Sequence, residues 1–240
     1  MGSAADSQRA RQALLQAACD VFAEMGYRKA TVREISRRAE QNLSAINYHF
    51  GSKEELYRQV LRLAGPPEGA DPQTLGRGLS PRQRLRAFLA FFLAETLGDD
   101  GQPWKAQIML RELSSPTGML DDLVRNAIRP HFDALRATVA ELLLPVGNEA
   151  LDGPPPFEEL PPELQQRVHD HAFSTVAQVI FYRQSRPVLE RLAGRRYGAG
   201  DRERLAEHVF RAVTSAIAAD RRRLRDELRP LGAVGKEGVA

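Results

Sequence analysis

An all-α fold is predicted for this chain from three observations. Apolar residues recur at helical steps of three and four through nearly all 240 residues; no run of useful length alternates with the period of two that a strand needs; and Gly and Pro concentrate in two loops. No internal repeat is present. The elements group into an N-terminal unit of short helices and a larger helical bundle.

From Ser7 to Met25, the residues Leu14, Ala18, Val21, Phe22 and Met25 mark an amphipathic helix that Gly26 is expected to end. Thr31 can cap a second helix, and Glu34 three positions later completes a capping box. Val32, Ile35 and Ala39 share one face of it. After a polar break at Glu40, Gln41 and Asn42, the stripe resumes at Leu43, Ile46 and Phe50, with Asn42 as the expected cap. Two helices with one apolar seam pack at a steep angle, a helix-turn-helix. That leaves Ser44, Ala45 and Asn47 on the outward face, free to enter a DNA major groove. Ser52, with Glu55 three positions on, opens a fourth helix whose buried side is Leu56, Val60, Leu61 and Ala64. Residues 1–64 are therefore expected to form a DNA-binding domain that includes the linking helix.

The Gly- and Pro-rich stretch from Gly65 to Ser80 predicts a linker. Pro81 then opens a helix to about Leu97, with Leu85, Phe88, Leu89, Phe92 and Leu93 inward. Pro103 starts a segment through Ser114, and Thr117 to Leu144 reads as a long helix interrupted or bent at Pro130. Pro145 to Pro162 is a second loop, expected to be mobile, in which Pro154, Pro155 and Pro156 exclude helix. Two final helices, Glu163 to Gln184 and Asp201 to Leu228, flank a short helical turn from Pro187 to Gly194. Residues 65–229 make the second domain, and the tail from Pro230 is expected to be disordered.

The net charge of +3 is not evenly spread. Residues 1–64 hold ten basic and seven acidic side chains, whereas the remainder holds twenty-four of each, so the excess lies where phosphates would be met. Cys19 is the only cysteine, which excludes an internal disulfide, and its apolar neighbours Leu15, Ala18 and Phe22 predict a small buried hydrophobe. No window approaches the apolar length of a membrane helix and the N-terminus lacks the core of a secretion signal, so a cytoplasmic protein is expected.

The contrasting classes are a helical-bundle enzyme and an architectural DNA binder. Against the enzyme, no histidine follows a Glu by three positions, and H-E-x-x-H, G-x-S-x-G, G-x-G-x-x-G and P-loop motifs are missing. Against the architectural protein stands the large charge-balanced second domain. His169 and His171 lie about 200° apart on a helix, too far round to share one ion, so no metal and no cofactor is expected. Arg221, Arg222 and Arg223 suit the C-terminal end of the last helix through its dipole.

The N-terminal unit resembles the TetR family of bacterial transcriptional regulators. The resemblance is carried by A-A-C-D-V-F-A-E-M-G-Y, by T-V-R-E-I-S-R-R-A and by I-N-Y-H-F-G-S-K-E-E-L-Y, and covers about Arg11 to Leu61. R-E-L-S-S-P-T and V-I-F-Y-R are more weakly similar to a CecR-type subgroup. Many family members have Gly-Val where this chain has Glu40-Gln41, and Tyr where it has Asn47. The resemblance implies a homodimer on a palindromic double-stranded DNA operator, a repressor released by a small-molecule effector, and no enzymatic activity. It implies phosphate contacts from Thr31, Arg33, Tyr48, His49 and Lys53, with Ser44, Ala45 and Asn47 nearest the bases. An Asn at position 47 can offer a donor and an acceptor together to adenine. Arg37 and Arg38 either reach phosphate or form a solvated helix face. Dimerisation is expected through the last two long helices. An effector pocket in the bundle would draw on Phe88, Phe92, Trp104, Met109, Phe132, Phe173, Phe181 and Tyr182, with Arg111, Glu112, His131, Gln178 or Arg183 orienting the guest.

Overall fold

The computed structural model describes residues 4–65, 76, 78–97, 102–144 and 156–228. Most of the expected 65–80 linker, residues 145–155 of the second loop and the tail from 230 lie outside the described residues. Every regular element among those described is helical. In order they are α1 (Ala4–Lys29), α2 (Val32–Arg38), α3 (Leu43–Phe50), α4 (Lys53–Ala64), α5 (Pro81–Leu97), α6 (Pro103–Ser114), α7 (Leu120–Leu123), a π turn (Val124–Ile128), α8 (Arg129–Leu143), a 3-10 turn (Phe157–Glu159), α9 (Pro162–Gln184), α10 (Arg186–Ala193) and α11 (Ala199–Leu228). No described helix is long and apolar enough to cross a membrane.

Two local expectations change. Gly26 breaks α1 rather than ending it: its φ of 73° and ψ of 162° are open only to glycine, and one more turn follows, closed by Ala30 N–H donating to Gly26 O at 3.1 Å. The interruption ascribed to Pro130 begins before it. Arg129 N–H donates to Val124 O, five residues back, so the π turn shifts the bonding register just ahead of a residue with no N–H to give.

The chain folds into two compact units, Met1–Ala70 with Asp99–Pro130, and Asp71–Gly98 with His131–Ala240. The first unit is thus built from two stretches of chain, which returns to it after residue 98 through α6, α7 and the π turn. The cause is apolar burial. Trp104, Ile108, Met119 and Leu123 are buried in one cluster with Leu14, Phe22, Ile35, Ile46, Leu56 and Val60. Cys19 lies in the same cluster, and burial pushes its thiol up to about 12, so it packs as a hydrophobe. The second unit has its own core, in which Leu85, Leu89 and Leu93 of α5 meet Leu135 and Val139 of α8, Val168 and Val179 of α9, and Leu205, Val209 and Val213 of α11.

Candidate nucleic-acid interface

Thr31 caps α2, its Oγ1 accepting from Glu34 N–H at 3.1 Å. The reciprocal half of the expected capping box does not form. The Glu34 carboxylate instead accepts from Arg37 at 2.9 and 2.8 Å and from Arg38 at 2.9 Å, while Arg38 also reaches Glu24 of α1 at 2.9 and 2.6 Å. These bonds, first from Arg37 and then from Arg38, hold Glu34 down at about 2 against an ordinary 4.5. A depressed carboxylate contributes stability that is complete above its unfolded value and lost as pH falls through its folded one. The α1–α2 clamp is therefore expected to weaken between pH 4.5 and 2, and Glu34→Gln to flatten that part of the unfolding-versus-pH curve. The two arginines thus bind carboxylates in the free protein.

The turn between α2 and α3 closes through Glu40 N–H to Arg37 O at 3.2 Å and Gln41 N–H to Ser36 O at 2.9 Å. Glu40 takes a φ of 54°, the only positive value at a non-glycine residue among those described. A side chain costs ~1 kcal/mol or more in this left-handed region. Glu40→Gly is accordingly expected to raise unfolding stability by ~0.5 kcal/mol, the relief being partly offset by the looser unfolded chain. A urea titration would show it, and a loss of stability would contradict the assigned backbone.

In α3, Ile46 and Phe50 are 0% and 5% exposed and fix the helix to the core. Leu43 was expected in the same seam but is 54% exposed, because it sits at the first helical position where the chain is still leaving the turn. Asn42 has an N-cap backbone, yet its side chain makes no cap bond. Opposite the buried stripe, Ser44, Asn47 and Tyr48 are exposed at steps of three and four, Tyr48 to 80%. Ala45 and His49 are half-buried, the His49 ring 4.8 Å from that of Tyr48. Thr31 and Arg33 are exposed at the start of α2. Lys53 opens α4 behind a Ser52 cap, its Nζ 4.4 Å from the centre of the Tyr27 ring. The structure thus brings Ser44, Asn47 and Tyr48 onto one outward face, with Thr31, Arg33 and Lys53 at the N-terminal ends of α2 and α4.

Residues 14–60 match the family model for bacterial regulatory proteins of the tetR family, and residues 81–219 match the C-terminal domain of the HTH-type transcriptional dual regulator CecR. The chain belongs to the TetR family of transcriptional regulators. Among curated relatives, CecR of Shigella flexneri is 50% identical over 50 residues, which is 21% of this chain and 22% of that protein. The repressor NicS of Pseudomonas putida is 35% identical over 89 residues, 37% of this chain and 42% of that one. Both matches span less than half of the relative's length. The hemolysin II regulator HlyIIR superposes with a TM-score of 0.60 at 16% identity, covering 87% of this chain and 98% of that chain. A TetR-like regulator from Rhodococcus sp. RHA1 does so at 0.52 and 24% identity, covering 84% and 93%. These superpositions bear on the fold alone.

In this TetR regulator the expected pocket residues do not converge. Trp104, Met109, Arg111 and Glu112 lie in the first unit. Arg111 donates to Ala23 O at 2.7 Å and to Glu24 O at 2.8 Å beside the break at Gly26. Glu112, 1% exposed, accepts from the Tyr57 hydroxyl at 2.9 Å and from Thr117 N–H and Oγ1 at 2.8 and 2.7 Å. Both side chains tie α6 to its neighbours within the first unit. In the second unit, a cleft of about 470 Å³ lies along α5 and α8, lined among others by Arg84, Phe88, Phe91, His131, Asp133 and Thr138. Of the expected residues it gathers Phe88 and His131. Phe92 packs on Phe88 at 5.7 Å, and Phe132 stacks on Phe173 at 4.9 Å and His169 at 6.1 Å, away from the cleft lining. Phe173 and Phe181 are 57% and 58% exposed. Tyr182 packs on the second core, and Gln178 donates to Ser174 O on its own helix at 3.2 Å. Phe91, whose ring stacks on His131 at 5.8 Å, was missed. Its step of three from Phe88 was the available signal. His171 pairs with Asp220 at 3.3 Å while His169 joins the aromatic stack, so the two rings serve different neighbours.

Proposed function

We propose that this chain is a ligand-responsive repressor that binds a palindromic operator as a homodimer and is released by a small-molecule effector. The observation that carries this reading is the two-sided α3, outward at Ser44, Asn47 and Tyr48 and locked at Ile46 and Phe50. Such a helix can enter a major groove without disturbing its own packing. Asn47 reads a base edge with Ser44 and Ala45 beside it, and Thr31, Arg33, Tyr48, His49 and Lys53 hold the backbone that sets register. On α9 the exposed Phe173, Ala177 and Phe181 form one stripe, and on α11 Ala212, Ser215 and Ala216 are exposed at matching steps. Paired with the same stripes of a second copy, they would make a four-helix seam and present two copies of α3 to half-sites.

The cleft along α5 and α8 offers the effector a mainly apolar wall with a few polar groups. An effector that prefers one spacing of the α3 pair would lower operator affinity by its differential affinity for the two states. The test is selection of genomic fragments by the purified protein, followed by anisotropy titrations with and without candidate compounds and sedimentation of the complex. Preferred fragments with an inverted repeat, bound by two chains and released by a compound, support the reading. Fragments bound no better than random duplex would sink it.

A further inference from the structure

We infer that Tyr27 is a positioning residue for the backbone contact of Lys53, and that Glu112 sets the Tyr27 ring from outside the helix-turn-helix. The inference rests on the phosphate role proposed above for Lys53. Three aromatic rings and one carboxylate form a continuous chain within the first unit. Lys53 Nζ lies 4.4 Å from the Tyr27 ring centre. That ring is 4.9 Å from the Tyr57 ring, which in turn meets Phe22 edge-on at 4.8 Å. Tyr57 is 3% exposed, and its hydroxyl donates at 2.9 Å to Glu112 of α6, fifty-five residues downstream. Glu112 is fixed in turn by both donors of Thr117. Rotation of the Tyr57 ring is thereby blocked at one end by its bond and at the other by Phe22, and Tyr27 packs on what is left.

A lysine stem has several free rotors, and freezing them on binding weakens the contact. A ring face that already seats the ammonium lifts part of that cost before DNA arrives. An aromatic seat has a second merit: it carries no anion that phosphate must displace. The nearest carboxylates in sequence, Glu54 and Glu55, both accept hydrogen bonds from Arg58. Among the described residues, Lys53 is thus held by a ring face and by no carboxylate. Burial also lowers its amine, so the head group has already shed some water.

The experiment uses the full-length protein and the duplex selected above, titrated over a range of salt concentrations. Lys53→Ala should weaken binding and reduce the salt slope by about 0.9, the share of one phosphate contact. Tyr27→Leu should weaken binding about three- to tenfold, the range expected from losing a partly desolvated cation–π contact. Tyr27→Phe, which keeps the ring, should restore affinity. In the Lys53→Ala background, Tyr27→Leu should cost nothing further. In the free protein, the Lys53 ε-methylene protons should resonate upfield under the Tyr27 ring, and move downfield in Tyr27→Leu and part-way in Glu112→Gln. Should Tyr27→Leu cost as much without Lys53 as with it, the ring acts on the fold and the inference falls while the phosphate role stands. If Lys53→Ala changes neither affinity nor slope, the phosphate role itself fails and takes the inference with it. An unmoved Lys53 resonance in Glu112→Gln would remove Glu112 from the chain.

Discussion

Ile46→Ala is expected to lower the unfolding free energy of the first unit by ~2–5 kcal/mol, the range for emptying a fully buried aliphatic site. Ile46 is 0% exposed and shares its cluster with Leu14, Phe22, Ile35 and Leu56, so the side chain's removal leaves a hole bounded by α1, α2 and α4. The measurement has a convenient reporter. Trp104 is the only tryptophan, 7% exposed in that same cluster, so its fluorescence in a urea titration follows this unit rather than the other. A midpoint change worth less than ~1 kcal/mol would mean that α3 is not anchored by Ile46. Because α3 carries the outward face, DNA binding should fail at temperatures the parent protein tolerates.

One residue along, the expected outcome inverts. Asn47 is exposed, so Asn47→Ala should leave the Trp104 transition within ~0.5 kcal/mol of the parent. Its effect should fall on discrimination. Removing a paired donor and acceptor from a base edge costs ~1–3 kcal/mol, or about five- to 150-fold, against the cognate operator at one base pair. Affinity for random duplex and the salt slope should hold, since neither depends on base edges. Titrations against operators carrying each substitution at each position would map the relaxed pair. An equal loss on cognate and random DNA would reassign Asn47 to the backbone.

The helix-turn-helix was readable in advance because its information is local. Val32, Ile35, Ile46 and Phe50 recur at helical steps, and the polar break between them is short. The errors arise where the local pattern is ambiguous. Leu43 fits the stripe by spacing yet lies 54% exposed, since a helix's first residue need not follow the face its later turns adopt. Asn42 has the chemistry of a cap without making its bond, and Glu34 preferred two guanidinium groups to the Thr31 amide. The allocation of α6 was not legible at all. The stripe of Trp104 and Ile108 announces burial without naming the core it enters, and only the three-dimensional contact assigns it to the first unit. For the same reason the aromatic residues of the second unit could not be sorted into wall, filler and surface, and Phe91 was passed over for Phe92.

Because the reading head is assembled from two separate stretches of polypeptide, it cannot be excised as one. A fragment ending near residue 70 would bare the flank that Trp104 and Ile108 cover and strip the Tyr57 phenol of its carboxylate acceptor. Grafting this unit onto another regulator therefore requires three junctions, one after Ala70 and one on each side of Asp99–Pro130.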